Sequence, residues 1–260
     1  MIALKNRLRL ISLFPILILF ALASYYVYNA YGSYQAAKVL QAKLDENLFL
    51  NDLIRNLSRE RGMTVMYLGN RSETTKKSLD AQRNIVDEKL AAFDSHISHN
   101  ELLHDHSGQT ECAACKSQKN IDERFSVIAE KRAEIDAGNL EFGDIYETIY
   151  GTAEREVLQE LRTIGAFEVD PDIASLASAY INILDAKHYT GDERDFISYA
   201  LARATRFDAE ELNIWITLIG KADSINYEGI QDPSVKAELA AIFNDEDNAE
   251  LFEDITTERA

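Results

Sequence analysis

The run LISLFPILILFALASYYV, residues 10–27, carries no charge, and no other feature narrows the options for this chain so far. At roughly 1.5 Å of rise per residue, about 20 such residues cross the hydrocarbon core of a bilayer as one helix. Tyr25, Tyr26, Tyr28 and Tyr31 cluster at its far end, where amphipathic rings suit a membrane interface. A cleaved signal peptide is the competing reading. The run exceeds the usual apolar region of roughly 7–15 residues, however, and no clear small-x-small cleavage site follows it. Lys5, Arg7 and Arg9 precede the run, so the positive-inside rule keeps the N-terminus in the cytoplasm and sends the rest of the chain outside. Residues 1–9 are therefore expected as a cytoplasmic N-terminus, 10–31 as a transmembrane anchor and 32–260 as an extracytoplasmic domain. No second apolar run follows before Ala260, so the chain either is anchored at one end only or stops short of a return helix.

The formal charge is −17, and the first 31 residues hold +3 of it, leaving −20 for the remainder. A body that acidic does not track a nucleic-acid backbone, whose binding is dominated by phosphate neutralisation. It also repels small anions at long range, so any anion it binds must be held by local, pre-positioned cations. Three prolines and eleven glycines are few for 260 residues, and together with 46% hydrophobic residues they favour long, uninterrupted helices. The fold class read from this is all-α.

Apolar spacing places the helices. Residues 33–68 read as one long helix leaving the membrane, stopped by Gly69 and Asn70, with RSETTKK as a polar turn. A second helix spans about 78–97, with Leu79, Val86, Leu90 and Phe93 on one face. Residues 98–120 are the least helical stretch. Periodicity resumes at Ile121 and breaks at Gly138. Further helices cover DIYETIYGTAEREVLQELRTIGAF, then 172 towards 206, where Ile173, Ala177, Tyr180 and Leu184 form a stripe. The next begins at Asp208, with Glu211 three residues on as in a capping box. Two more lie near 234–243 and 247–260. Seven or eight helices joined by short turns give one long antiparallel bundle or two linked ones.

LSRERGMTVMYLGN, residues 57–70, puts an arginine where a core residue belongs. Leu50, Leu53, Leu57, Arg61, Thr64 and Leu68 follow one another at steps of three or four, so Arg61 faces inward. Gly62 beside it costs about 1 kcal/mol in a helix relative to alanine. Glu193 and Arg194 repeat the pair close to Gly191, with Arg194 three residues before Ile197, which implies the same inward geometry. A buried guanidinium stays charged and is costly unless a carboxylate or a bound anion matches it. Adjacent residues point in different directions, so each glutamate is poorly placed for its own neighbour. Two readings stay open: arginines paired internally across the bundle, or arginines converging on a small planar oxyanion through their forked donors.

LSRERGMTVMYLGN resembles the signature of the nitrate- and nitrite-sensing (NIT) domain family of bacterial membrane-bound sensors. The likeness continues through DAQRNIVDEKLAAF, AEKRAEIDAGNLEFGDIYETIYG and GDERDFISYALARATRFDAEELNIWITLIGKAD. The resemblance implies two packed four-helix bundles of long antiparallel helices, outside the inner (cytoplasmic) membrane and tethered to a signalling output that is not in this chain. It implies nitrate or nitrite as ligand, held by helix-borne arginines: Arg61 by motif position, Arg194 through its matching Glu-Arg segment, and Arg259 in the terminal TTERA. A homodimer is expected from the architecture of single-pass sensors, with the first helix carrying the signal inward. The chain is also expected to stop short of the last helices of the bundle.

HISHNELLHDHSGQTECAACKSQ holds four of the five histidines and both cysteines. In an oxidising compartment the default is a Cys112–Cys115 disulfide. Zinc on Cys112, Cys115, His104 and His106 is the alternative, which would make the chain a metal sensor. Haem attachment normally needs a histidine directly after the second cysteine, where this chain has Lys116. No phosphate loop, nucleophile elbow or zinc-protease helix occurs, so no enzyme is expected and no other cofactor. Tyr146 and Tyr150, one turn apart, read as core. The competing class to a sensor is a structural or interaction module with internally paired arginines.

Overall fold

The computed structural model describes residues 4–100, 113–140, 142–163, 171–223, 230, 232–245 and 248, which are helices and the turns joining them, with no strand among them. Helix α1, Leu4–Gly69, is 66 residues long, about 100 Å at 1.5 Å per residue. Its first part is long and apolar enough to cross a membrane, and from Leu13 to Tyr34 its large apolar side chains stand exposed. Pro15 lies inside the helix, a position tolerated in membrane helices. From Leu40 onward α1 becomes a core element: Leu50, Leu53, Leu57 and Val65 are buried at the expected spacing. Each such side chain stabilises the fold by about 1.5–3 kcal/mol.

Helix α2, Glu73–His99, packs along α1 with Leu79, Val86, Phe93 and Ile97 buried. It starts earlier than the sequence suggests. Ser72 caps it, its hydroxyl accepting from the Thr75 amide at 3.1 Å, and Glu73 offers a negative charge to the first turn, so residues 73–77 are helix and not a polar turn. Helix α3, Ala113–Ala137, also begins ahead of its expected start and takes in 113–120. Gly138, at φ +74°, closes α3: its amide reaches Ile135 O at 3.0 Å and that of Asn139 reaches Glu134 O at 3.0 Å.

The next stretch is not the plain α-helix expected. Asp144–Tyr150 is a π-helical turn leading into α4, Gly151–Arg162. The wider turn buries Ile145, Tyr146, Ile149 and Tyr150 together. Helix α5, Pro171–Arg203, runs back along α1, and α6, Ala209–Asp223, folds onto α5. The capping box at Asp208 is present: its carboxylate accepts from the Glu211 amide at 2.8 Å while Glu211 accepts from the Asp208 amide at 3.0 Å. Phe207 stacks on Phe196 of α5 and lies tilted against Trp215 of α6, joining the two helices. Helix α7, Pro233–Phe243, follows with Asp232 as its cap. The second expected terminal helix, 247–260, lies outside the described residues apart from Asn248.

One apolar core runs through α1, α2, α3, the π turn and α4, with Leu184 of α5 at its edge. Glycines let α5 come close to α1. A Cβ on Gly69 would lie 2.7 Å from Ala202 Cβ, 2.8 Å from Tyr199 O and 2.9 Å from Arg203 N, so only a bare backbone fits.

Candidate functional site

Glu60 and Arg61, neighbours on α1, are both buried and, about 100° apart around the helix, face different neighbours. Glu60 faces α2 and α3. Arg132 of α3 grips it with two hydrogen bonds, Nε to Oε1 at 3.0 Å and Nη2 to Oε2 at 2.9 Å, and Tyr150 donates to Oε1 at 2.8 Å. Asp87 holds the other end of Arg132, while Asp136 holds the nearby Arg83 at 2.9 Å. This is cross-bundle pairing, and it answers the internal-pairing reading for the glutamate.

Arg61 faces α4 and α5 and is 1% exposed. Its Nη1 pairs with Glu154 of α4. Asp192 Oδ1 lies 2.8 Å from the same nitrogen but makes no hydrogen bond, so that contact is coulombic. Nε donates to Asp195 Oδ2 at 2.8 Å. The Tyr146 ring lies 5.0 Å from the guanidinium carbon, and its hydroxyl donates to Asp192 O at 3.0 Å. The π turn thus delivers Tyr146 to Arg61 and Tyr150 to Glu60. Gly62 permits the Asp195 contact, since a Cβ there would sit 2.9 Å from Asp195 Oδ1.

Three carboxylates around one guanidinium leave an excess of negative charge. Burial alone would lower the pKa of Arg61, but Glu154, Asp195 and Asp192 raise it instead. Burial pushes Glu154 up to about 7; Asp192 and Asp195 add to the rise, while Arg61 and the Ser58 hydroxyl oppose it. His188 of α5 sits 3.8 Å from Glu154 and 3.7 Å from Asp192, with burial holding it below its usual range. Glu154, His188 and Asp192 bring ligand atoms within 4.8 Å of one another, as a metal site would. Arg61 Nη1 already lies against one oxygen of each of the two carboxylates of that group.

One end of Arg61 is not taken. Among the described residues its Nη2, fully buried, has no hydrogen-bond partner. It points towards Gly191: a Cβ built there would lie 3.8 Å from Arg61 Nη2 and 3.9 Å from Arg194 Nη2. Gly191 forms part of the wall of a cavity of about 350 Å³ between α1, α4 and α5, together with Arg55, Ser58, Arg59, Lys187, His188 and Arg194. Four cations on one small cavity stand out in a chain of net charge −17. Arg55 pairs with Asp52, and Arg194 donates to Asp195 Oδ1 at 2.7 Å. Arg59 and Lys187 form no ion pair among the described residues. Burial lowers the pKa of Lys187, and the charges of Arg55 and Arg194 lower it further, as expected where like charges converge.

Of the residues singled out from sequence, Arg61 is buried as expected. Arg194 is not: its side chain is 58% exposed, because the inward face of this part of α5 carries Glu193, Asp195 and Phe196. It reaches the cavity from the rim, curling back onto the adjacent Asp195. Arg259, Cys112, His104 and His106 lie outside the described residues, and Cys115 is disulfide-bonded. The sequence reading passed over Arg55, Arg59 and Lys187, although Arg55, Ser58 and Arg59 share one face of α1 and Lys187, Gly191 and Arg194 share one face of α5.

A search of curated proteins and a search of solved structures each return no match to this chain. A family model described as nitrate and nitrite sensing does match, over residues 52–259, a span that contains Arg55, Arg59, Arg61, Glu154, Lys187 and Arg194. With most of its length covered, the chain belongs to the NIT, nitrate and nitrite sensing, family.

Proposed function

We propose that this chain is the sensing part of a single-pass receptor of the inner membrane, with residues 10–31 as anchor and residues 32–260 outside, and that nitrate or nitrite binds in the cavity between α1, α4 and α5. NIT domains are extracytoplasmic sensor domains of membrane receptors, a sensor family and not an enzyme family. The observation that carries the site is the pair of guanidinium ends converging on Gly191, one of them a buried donor with nothing to donate to. A buried unpaired donor costs about 1–3 kcal/mol or more when charged, a cost that an oxyanion would remove. Arg59 and Lys187 supply charge that no carboxylate among the described residues cancels, and Ser58 offers a hydroxyl. Arg61 does not line this cavity but a second one of about 500 Å³ with Tyr146, His188 and Asp192, and reaches towards Gly191 from that side, while Arg194 acts from the rim.

Binding would bias the packing of α5 against α1 only through a difference in affinity between two arrangements. α1 connects that contact to the anchor without a break, which supports transmission through the first helix, with two copies as the unit. The internally paired reading is favoured by one observation, the three carboxylates on Arg61.

Calorimetry of the full chain in nanodiscs separates the two. Heat with nitrate or nitrite, absent with chloride and lost in Arg59→Gln and Arg194→Gln, supports the sensor. No heat with either oxyanion, from protein that remains folded, leaves Arg61 as a structural group and overturns the proposal.

A further inference from the structure

The cluster around Arg61 holds one more negative charge than its cations balance. Glu154, Asp192 and Asp195 face Arg61, with Arg194 at the edge of Asp195 and His188 kept neutral by burial. An anion placed at Arg61 Nη2 adds to that excess. Glu154 and Asp195 are both buried, at 0% and 1% exposure, but Asp195 is paired with Arg194 as well as Arg61, whereas Glu154 Oε2 shares its one guanidinium with the incoming anion. We infer that anion and proton bind together: Glu154 takes up a proton when nitrate or nitrite engages the free end of Arg61, so the receptor responds more strongly to its ligand as its surroundings acidify. This rests on the anion site proposed above and adds its regulation.

The groups facing Glu154 support that assignment. From α1, Ser58 donates to Oε1 at 2.8 Å and Arg61 pairs with Oε2. From α5 come His188, Asp192 and Asp195; from the π turn comes Tyr146, held neutral by burial. Helix α3 packs on the other flank of α4, where Asn120 bonds Glu156. With Glu154 ionising near 7, free protein at neutral pH is a mixture of both forms. A bound anion favours the protonated form by like-charge repulsion. By linkage, the protonated form then favours the anion. Proton and anion arrive from solvent, no bond to carbon changes, and Arg61 keeps Asp195 and Asp192 throughout.

The test is calorimetry of the full chain in nanodiscs with sodium nitrate and sodium nitrite between pH 5.5 and 8.5. Each pH is run in two buffers of different ionisation enthalpy, and wild type is compared with Glu154→Gln. The expected result is uptake of a fraction of a proton per anion near pH 7, with Kd rising by up to tenfold per pH unit above about pH 7. Below about pH 6, where free Glu154 is already protonated, Kd levels off. Glu154→Gln, uncharged at every pH, should bind without proton uptake and more tightly than wild type at pH 8.5. As a second readout, the protonated carboxyl stretch of Glu154 in infrared difference spectra should grow when nitrate is added at pH 7.5. Binding with the same Kd at all pH values and no proton uptake overturns the inference and leaves the anion site standing. Uptake that persists in Glu154→Gln and disappears in His188→Asn assigns the proton to the imidazole and also overturns it. No heat with either anion at any pH removes the anion site and this inference together.

Discussion

Replacing Gly191 with alanine should move stability and ligand affinity in opposite directions. The residue lies within α5, away from either end, with no positive φ, and a methyl group there meets nothing nearer than 3.8 Å. Glycine to alanine in an unstrained helix interior is worth about 1 kcal/mol, part of it from restricting the unfolded chain. For a domain of this size that corresponds to a rise in Tm of about 2–4 °C. The same methyl occupies the point on which Nη2 of Arg61 and Nη2 of Arg194 converge. An oxyanion displaced from one of these donors loses a charge-assisted hydrogen bond of about 1.5–3 kcal/mol, or roughly a 10- to 150-fold weaker Kd. Differential scanning calorimetry and titration calorimetry on the same preparation of Gly191→Ala read both effects. An alanine variant that binds nitrate within twofold of wild type would refute the placement of the anion. A lower Tm would refute the assignment of Gly191 to an unstrained helix with open space beside it.

Gly69→Ala should behave in the opposite way. Its new methyl meets the α5 backbone at 2.8–2.9 Å, so separation of α1 from α5 should outweigh the gain in helix propensity and lower stability by about 1–3 kcal/mol, seen as a reduced urea midpoint. Arg132→Ala leaves the fully buried Glu60 with Tyr150 as its close partner, and breaking a buried pair from one side costs about 3–5 kcal/mol. Denaturant titration should show that loss, with a smaller one in the double variant Glu60→Gln, Arg132→Met. Asp122 is raised to about 6 by burial and by the neighbouring Asp94. A raised carboxylate favours the folded state below its unfolded pKa, near 3.8, and that contribution is lost as pH rises through about 6. Wild type should therefore lose stability relative to Asp122→Asn between about pH 4 and 6, and a Tm difference that does not change with pH would contradict the shift.

Much of this arrangement was legible in the sequence, and the part that was not has a physical reason. The inward position of Arg61 follows from the steps between Leu50, Leu53, Leu57 and Thr64, because helical spacing reports which side faces the core. Spacing along one helix says nothing about how a second is rotated against it. Glu154, Asp192 and Asp195 were therefore invisible as partners, and so was Arg132 for Glu60. Arg194 is misplaced by spacing because α5 carries apolar residues on several faces: its step to Ile197 predicts an inward side chain, yet Leu201, seven residues on, is 74% exposed and Asp195 is buried. The π turn escaped notice since it differs from an α-helix by about one residue in a single turn. The early start of α2 was readable in Ser72 and Glu73, but the polar run around them hid it.

Helix α1 carries no break between the apolar stretch and Arg61, which stand about 30 residues, or roughly 45 Å, apart. The compass bearing of the guanidinium is therefore locked to that of the exposed apolar surface of residues 13–34, at about 100° per residue. A single residue inserted into the rod between them would swing the cavity by more than a quarter-turn about the helix axis, whereas seven would lift it by about 10 Å with its bearing nearly restored. The length of this shaft is tuned in steps, and its angular setting is as much a part of the protein as the side chains at its tip.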